Sequence, residues 1–219
     1  MLTEFWTPIR LSVEIAIVAG FVVIVLGTLL GKWMAKRQFR GKLLMETILL
    51  LPLVLPPTVV GFLLIILFGK QSVLGQAIIG LFDAPIMFTW WAAVIAAIIV
   101  AFPLMYQSAK AGFEAIDEEI EHAARVDGAK EWQVLLFISV PLALKMLVAG
   151  GILSVTRALG EFGATLMFAG NIPGKTQTTP LAIYTAMDSG NMTVAWLWVS
   201  VMVALSFLML LVVHVVKER

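Results

Sequence analysis

The sequence contains no cysteine and few charged residues. Of 219 residues, 13% are charged and two are histidine, whereas a soluble domain is roughly 25% charged. The absence of cysteine excludes disulfides, thiolate metal sites and thiol nucleophiles. Apolar residues are abundant instead, at 61%, and the mean hydropathy is +1.00. We therefore predict a single integral membrane domain over residues 1–219.

Motifs for catalysis and nucleic-acid binding are also missing. The sequence has no His-Glu-x-x-His metal motif and no Gly-rich phosphate loop. Its formal net charge is +1, and its basic residues are spread among loops, so no nucleic-acid surface is indicated. We expect no metal, cofactor or enzymatic activity on this chain. The segment Met1–Arg10 does not have the pattern of a cleaved signal peptide.

Long runs without a charged residue indicate about five membrane-spanning helices. A bilayer core about 30 Å thick requires roughly 20 apolar residues in a helix. Four runs have a suitable composition: 15–31, 47–69, 84–109 and 189–216. A further stretch, 142–169, is interrupted by Arg157 and Glu161, so it is either one helix or two broken pieces, and it crosses once in both cases.

The distribution of Lys and Arg predicts the orientation, because short cytoplasmic loops are enriched in these residues. One side of the predicted topology carries ten of them: Lys32, Lys36, Arg37, Arg40, Lys42, Lys110, Arg125, Lys130, Lys217 and Arg219. The other side carries Arg10, Lys70 and Lys175. We therefore expect the N-terminus outside the cell and the C-terminus in the cytoplasm.

The most charged loop lies between the third and fourth predicted spans, at about residues 110–131. Its apolar residues recur every three or four positions, which indicates an amphipathic helix. They are Phe113, Ile116, Ile120, Ala123 and Ala124. Gly128 can end that helix in a left-handed turn. The alternative is a solvated hairpin, which charge alone favours, since charge runs usually face water.

The spacing of small residues in this loop resembles a known signature. Ala123-Ala124 is followed by three residues, Gly128, nine residues and then Ile138-Ser139-Val140-Pro141. This resembles the cytoplasmic loop of permease subunits of ATP-binding-cassette importers. That loop typically reads Glu-Ala-Ala, three residues, Gly, nine residues, Ile, any residue, Leu, Pro. Here His122 stands where the Glu usually is, Glu121 comes one place earlier, and Val140 replaces Leu.

The resemblance implies a contact with a partner ATPase. In the family this loop lies in a groove of a cytoplasmic ATPase subunit, so that ATP-driven closure of two ATPases tilts the membrane helices. Small side chains permit close approach, and Gly permits the sharp turn. The implied ATPase-coupling residues are Glu121, His122, Ala123, Ala124, Asp127 and Gly128. The displaced Glu121 is rotated about 100° around the helix relative to the usual position.

A second resemblance covers much of residues 157–184. The motifs are Arg157-Ala158-Leu159-Gly160-Glu161-Phe162-Gly163-Ala164-Thr165, Ala169-Gly170-Asn171-Ile172-Pro173-Gly174-Lys175-Thr176 and Pro180-Leu181-Ala182-Ile183-Tyr184. They resemble the molybdate-permease (ModB-type) branch of the family. Leu51-Pro52, Pro56-Pro57 and Gly61 resemble that branch and its sulfate relatives. The resemblance implies the type I importer permease fold and a transmembrane pathway for molybdate.

Two features within the spans are candidates for the pathway or its gate. Ionisable residues at membrane depth are costly and usually face a bundle interior or a wet cavity. Arg157 and Glu161 are four residues apart and, in a continuous helix, share a face in the outer half of the bilayer. They either line the pathway or form a neutralised pair that holds the helix against its neighbours. Thr165 follows in the same motif.

Prolines mark the second feature. Pro52, Pro56 and Pro57 remove backbone donors inside the second span and should kink or break it. Such breaks are tolerated where the freed carbonyls meet protein or water. The break is therefore either a gate or pathway wall, or a static packing kink.

The resemblance also implies partners and a location. A permease of this kind works as a homodimer among membrane lipids of a bacterial or archaeal cell membrane, with Mg-ATP bound by a cytoplasmic ATPase dimer. An extracytoplasmic oxyanion-binding protein delivers cargo, and the loop 171–191 is a candidate contact for it. Sulfate and tungstate are alternative cargoes. A self-contained channel or secondary transporter is a further alternative, although no internal repeat is evident.

Overall fold

A computed structural model describes the backbone of residues 2–218 and the side chains of residues 5–215. All regular structure in this part of the chain is helical, which confirms the predicted all-α fold. The helices are α1 (Leu2–Ala35), α2 (Lys42–Val54), α3 (Pro57–Phe68), α4 (Val73–Phe82), α5 (Trp90–Glu114), α6 (Glu118–Val126), α7 (Glu131–Val134), α8 (Val140–Leu159), α9 (Gly163–Phe168), α10 (Thr179–Asp188) and α11 (Met192–Glu218). A π-helical turn, Leu135–Ser139, joins α7 to α8. The side chains of Lys217 and Arg219, which contribute to the predicted charge bias, lie outside the described residues.

The second predicted span is broken at its prolines. Pro56 and Pro57 have no N–H group, so the helical hydrogen bonds to the carbonyls of Pro52 and Leu53 cannot form. Helix α2 accordingly ends at Val54, α3 begins at Pro57, and the two are bent by 118°. The break predicted at Pro56 and Pro57 is confirmed, whereas Pro52 lies inside α2 and does not end that helix.

Contacts between helix ends indicate how many times the chain crosses the membrane. Lys36 Nζ donates to Ile116 O at 3.0 Å, so α1 ends beside the end of α5. Lys110 Nζ lies 2.7 Å from Glu46 Oε1, so α2 begins at that same level. Since α5 starts at the opposite level, the chain must cross between Lys42 and Trp90. The bent pair α2–α3 therefore counts as a span beside the four long apolar helices, which gives five.

The opposite ends of the bundle are joined as well. Ser12 Oγ lies 3.0 Å from Thr179 Oγ1, and Trp198 Nε1 donates to Phe5 O at 3.0 Å. The first part of α1 therefore lies beside α10 and the start of α11. Because α11 leaves from this level, the two termini lie at opposite ends of the bundle, as five crossings require.

The core forms where α1, α5 and α8 pack closely. Small residues line these contacts, and a Cβ added at Gly31 would lie 2.7 Å from Ala109 Cβ. Tyr106 and Phe113 of α5 are among the largest fully buried side chains in the described part of the chain. Small residues at helix contacts let backbones approach closely in membrane proteins.

Two sequence expectations need correction. The fourth span is continuous from Glu131 to Leu159, so it starts earlier than residue 142 and ends before Glu161. The pieces predicted within 142–169 are therefore α8 and the separate short helix α9. The amphipathic helix predicted in 110–131 is also split, since α5 continues to Glu114 and α6 spans only Glu118–Val126. Asp117 causes the split by capping a new helix.

Candidate functional site: helix α6 and two facing helix breaks

Helix α6 is a short acidic helix with defined ends. Asp117 Oδ1 accepts the N–H of Glu119 at 3.0 Å, which caps its first turn. Gly128 has φ +88°, and the N–H groups of Gly128 and Ala129 donate to the carbonyls of Arg125 and Ala124. This is a Schellman termination. The predicted left-handed turn at Gly128 is confirmed.

The outer face of α6 is small and apolar at its centre. His122 and Ala123 are exposed, Ala124 is half-buried, and Asp127 and Gly128 are exposed at the end of the helix. Val126 is 86% exposed and Ile120 is 47% exposed. An exposed apolar patch bordered by polar residues is typical of a protein contact surface. Five of the six predicted coupling residues therefore lie on or beside one accessible face.

The sixth predicted coupling residue, Glu121, faces inward. It is 3% exposed, because it is rotated away from the outer face and toward α1. Its carboxylate pairs with Lys32 of α1 and accepts a hydrogen bond from Ser139 Oγ at 2.7 Å. Glu121 therefore does not belong to the accessible contact face, contrary to the sequence expectation.

The surroundings of Glu121 keep it ionised. Burial tends to raise the pKa of the Glu121 carboxyl, but hydrogen bonds from Lys32 and Ser139 and the charges of Lys32 and Lys36 outweigh burial. The pKa consequently lies below its ordinary value of 4.5. A lowered carboxyl pKa means that the ionised network stabilises the fold at neutral pH and is lost only as the pH falls through that lowered value.

Lys32 connects four elements through one ammonium group. Besides pairing with Glu121 of α6, Lys32 Nζ donates to Ser139 Oγ at 3.0 Å in the π-helical turn. The ammonium also lies 5.2 Å from the centroid of the Phe113 ring of α5, within cation–π range. We call Lys32, Glu121 and Ser139 the α6 anchor.

A second cluster joins the two breaks in the membrane helices. A Cβ added at Gly163, where α9 begins, would lie 2.9 Å from Pro57 Cβ. A Cβ added at Gly61 would lie 2.6 Å from Met167 Cβ and 3.0 Å from Ala164 Cα. Helix α3 therefore packs directly on α9, and the break at Pro56 lies against the break that follows Leu159.

Arg157 and Glu161 close the end of α8. Arg157 Nη1 donates to Glu161 Oε2 at 2.7 Å, although the helix has ended between them. Glu161 Oε1 accepts the N–H of Ala164 at 2.8 Å and so caps α9. Glu161 is 2% exposed, whereas the Arg157 side chain is 30% exposed. The carboxylate thus has a structural role, and the guanidinium reaches the surface of the chain.

The other predicted pathway residues differ in accessibility. Pro56 is exposed and Pro57 is half-buried. Thr165 is buried, and its carbonyl accepts the N–H groups of Ala169 and Gly170 at 2.8 and 3.1 Å. Pro56, Pro57 and Arg157 are therefore at least partly accessible in the single chain, whereas Glu161 and Thr165 are not. Within the described residues, no group of three or more His, Asp or Glu side chains is arranged to hold a metal ion.

Lys32 and Ser139 are site residues that the sequence did not indicate. Lys32 is predicted only as a topological charge at the end of a span, and Ser139 occupies the variable position of the Ile-x-Val-Pro pattern. Lys32 lies 89 residues from Glu121 and 107 residues from Ser139 along the chain. Pairings at this separation leave no local pattern in one sequence.

The sequence has named relatives along nearly its whole length. The protein YvgM of Bacillus subtilis (strain 168), named as a molybdenum transport system permease, is 63% identical over 217 residues, covering 99% of this chain and 96% of that protein. The molybdenum transport system permease protein ModB of Escherichia coli (strain K12) is 38% identical over 184 residues, covering 84% and 80%. The sulfate transport system permease protein CysT of the same strain is 32% identical over 204 residues, covering 93% and 73%.

Solved structures and a family model agree with these relatives. The MetNI methionine ABC transporter includes a chain with a TM-score of 0.73 at 18% identity, covering 97% of this chain and 96% of that one. The fold is therefore that of a type I ABC importer permease. The model of the binding-protein-dependent transport system inner membrane component family matches residues 13–219. The chain belongs to this family of multi-pass membrane permeases.

Proposed function

We propose that this chain is the permease subunit of an ATP-driven importer and provides the transmembrane pathway for molybdate. The observation that carries the proposal is its identity of 63%, across 99% of the chain, with a protein named as a molybdenum transport system permease. The sulfate permease CysT is only 32% identical. Sulfate is therefore the less favoured cargo, and tungstate is a second oxyanion of the same shape.

The outer face of α6 is the proposed docking surface for a cytoplasmic ATPase. Its exposed residues are small or apolar around His122, Ala123 and Val126, so a groove on a partner can approach the backbone closely. The sharp turn at Gly128 presents this face beyond the ends of the long helices. ATP is bound and hydrolysed by that partner, and this chain is non-catalytic.

The break at Pro56 is the proposed wall of the pathway. Backbone groups freed by a break cannot face lipid, because hydrocarbon offers them no hydrogen-bond partner. Val54 is nevertheless 81% exposed in the single chain, and Pro56 is exposed beside it. A second copy facing this break would cover it and enclose a polar path between the two subunits. We therefore propose a homodimer with the α2–α3 breaks at its axis.

Arg157 is the proposed oxyanion-attracting residue of this path. Its guanidinium reaches the surface, while the nearby Glu161 carboxylate partly cancels its charge. A partly neutralised cation attracts a dianion without holding it tightly, which suits passage rather than storage. In this proposal an extracytoplasmic binding protein provides most of the selection among oxyanions.

The N-terminus is proposed to lie outside the cell, because Lys and Arg are enriched at the opposite level of the predicted topology.

Uptake into proteoliposomes tests the proposal. The permease is reconstituted with its ATPase and its binding protein, and radiolabelled molybdate is added outside with ATP or a non-hydrolysable analogue inside. We expect uptake only with ATP, and little inhibition by an equal concentration of sulfate. Uptake without ATP would contradict the importer, and saturation by equal sulfate would contradict molybdate as the cargo.

A further inference from the structure

We propose that Glu121 is a positioning residue that fixes α6 to α1 and to the π-helical turn, so that a movement of α6 reaches the membrane helices without loss. This inference rests on the proposed function. Its subject is the inner face of α6, opposite the face assigned to the ATPase. It assigns coupling roles to Lys32, which lies outside the loop signature, and to Ser139, which occupies a variable position within it.

The burial of Glu121 distinguishes it from its neighbours. Glu118 and Glu119 of the same helix are exposed, as charged residues usually are, whereas Glu121 is 3% exposed. Burying a carboxylate is costly unless donors replace water. An apolar side chain would fill this position at lower cost, so packing alone does not explain a charge here.

The carboxylate of Glu121 adds hydrogen bonds that depend on direction. An apolar contact tolerates sliding, but the anchor is satisfied in one arrangement only. Lys32 Nζ donates to both Glu121 and Ser139 Oγ, and Ser139 Oγ donates to Glu121 Oε1 at 2.7 Å. The three side chains form a closed triangle whose corners lie on α1, α6 and the π-helical turn.

The π-helical turn places the third corner. In this turn the N–H of Val140 donates to the carbonyl of Leu135, five residues earlier. Each turn of a π-helix contains more residues than a turn of an α-helix, and such turns often occur at functional sites. Ser139 is fully buried there, directly before Val140, the first residue of α8. The π-helical turn therefore places Ser139 where its side chain joins the start of α8 to Glu121 of α6.

The short link between α5 and α6 is held separately. Lys36 Nζ donates to Ile116 O at 3.0 Å and lies 3.7 Å from Glu121 Oε2. On the other flank, Arg125 Nη2 lies 3.8 Å from the same Oε2 atom. That last contact lies within α6, so α6 is attached to other elements at Glu121 by Lys32 and Lys36 of α1 and by Ser139 of the π-helical turn. A tilt imposed on its outer face must therefore carry α1 and the start of α8 with it.

The test compares Glu121→Gln with a matched variant of the same helix region. Gln keeps the shape and can still accept from Ser139, but it lacks the charge that pairs with Lys32. The control is Glu131→Gln, which removes the exposed pair with Arg125, whose Nε lies 2.7 Å from Glu131 Oε1. The complex is assembled with its ATPase and binding protein, and ATP hydrolysis and molybdate uptake are measured on the same vesicles.

We expect Glu121→Gln to assemble and hydrolyse ATP while uptake falls about tenfold, because Gln cannot form the charged pair with Lys32 that fixes α6 to α1. The ATP consumed per molybdate should rise by the same factor, and Glu131→Gln should keep the wild-type ratio. A wild-type ratio in Glu121→Gln would overturn the inference. Failure of the wild-type complex to transport molybdate would instead overturn the proposed function.

A cross-link separates positioning from folding. The chain has no cysteine, so in Lys32→Cys with Glu121→Cys a bis-methanethiosulfonate reagent reacts only with the two introduced thiols. The purified permease is treated before the ATPase is added. We expect the double variant to be uncoupled and the cross-linked form to regain uptake. Continued ATP hydrolysis with no recovery of uptake would show that α6 must move relative to α1, and would overturn the inference even if Glu121→Gln fails to assemble.

Discussion

Two buried carboxylates, Glu121 and Glu161, show how single charged residues hold irregular backbone in this apolar chain. Each pairs with a cation and accepts one further hydrogen bond, from Ser139 Oγ and from the N–H of Ala164 respectively. Glu161 lies where α8 has ended, and the partner of Glu121, Ser139, lies in the π-helical turn. The charges therefore stabilise bends that apolar packing alone would leave without hydrogen-bond partners.

At the scale of single residues, we predict that Glu161→Ala destabilises the permease. The change leaves the N–H of Ala164 and the guanidinium of Arg157 without their carboxylate. Removing one partner of a buried pair costs about 3–5 kcal/mol, and we expect the lower end because Arg157 is partly exposed. Thermal unfolding in detergent, followed by tryptophan fluorescence, measures the loss.

The control is Glu14→Ala, which removes a carboxylate with the same spacing to an arginine. Arg10 Nε lies 2.6 Å from Glu14 Oε1, but this pair is on the surface of α1. Exposed pairs contribute little to stability, so the melting temperature should not change. Equal effects of the two substitutions would contradict the structural role assigned to Glu161.

The sequence predicts most of the long helices correctly, but it does not predict which side chains of different helices pair. Run length predicts the long spans because a bilayer requires about 20 apolar residues, and Pro56 predicts the break because it has no N–H. The exact end of α5 at Glu114 is not predictable, since Phe113 and Ile116 keep the same periodicity across the turn. The inward direction of Glu121 depends on Lys32, 89 residues away, and no local pattern encodes it.

The contact between α3 and α9 yields a prediction at the scale of helices. In Gly61→Ala the new Cβ would meet Met167 Cβ at 2.6 Å and Ala164 Cα at 3.0 Å, and the backbone cannot yield as a flexible side chain does. Overpacking of this kind costs about 1–3 kcal/mol. We expect a lower melting temperature and reduced uptake, because the two breaks are pushed apart.

Gly80→Ala is the matched substitution for that experiment. Gly80 lies in α4, and a Cβ added there has no neighbour within 4 Å. Alanine favours a helix more than glycine by about 1 kcal/mol, so stability should be unchanged or slightly higher. A loss at Gly80 as large as that at Gly61 would argue against the close contact between α3 and α9.

For the whole molecule, the proposed homodimer accounts for the exposure of α2 and α3 in the single chain. No residue of α2 is buried, and of α3 only Val60, Gly61 and Leu64 are buried. Apart from Lys42, Glu46 and Thr47 near the start of α2 and Thr58 of α3, both helices are apolar, which is typical of helices covered by protein or lipid. The break between them requires protein or water rather than lipid. A second copy at this face satisfies both conditions.

Cross-linking of single-cysteine variants tests this assembly. In a chain without cysteine, Val54→Cys should give a covalent dimer with a short thiol-reactive cross-linker, because it lies beside the break proposed to face the axis. Phe207→Cys, on the exposed side of α11, should remain monomeric on a denaturing gel. Dimers from Phe207→Cys but not from Val54→Cys would show that the dimer axis lies at another face of the chain.

The α6 anchor also constrains how the protein is made. Lys32 is synthesised 89 residues before Glu121 and 107 residues before Ser139, so at about 5–20 residues per second its ammonium waits roughly 5–20 s for its partners. During that interval Lys32, at the end of α1, lacks the two partners that it has in the folded protein. The α6 anchor therefore forms only after the start of the fourth span has been synthesised. A nascent chain truncated before Ser139 cannot form it.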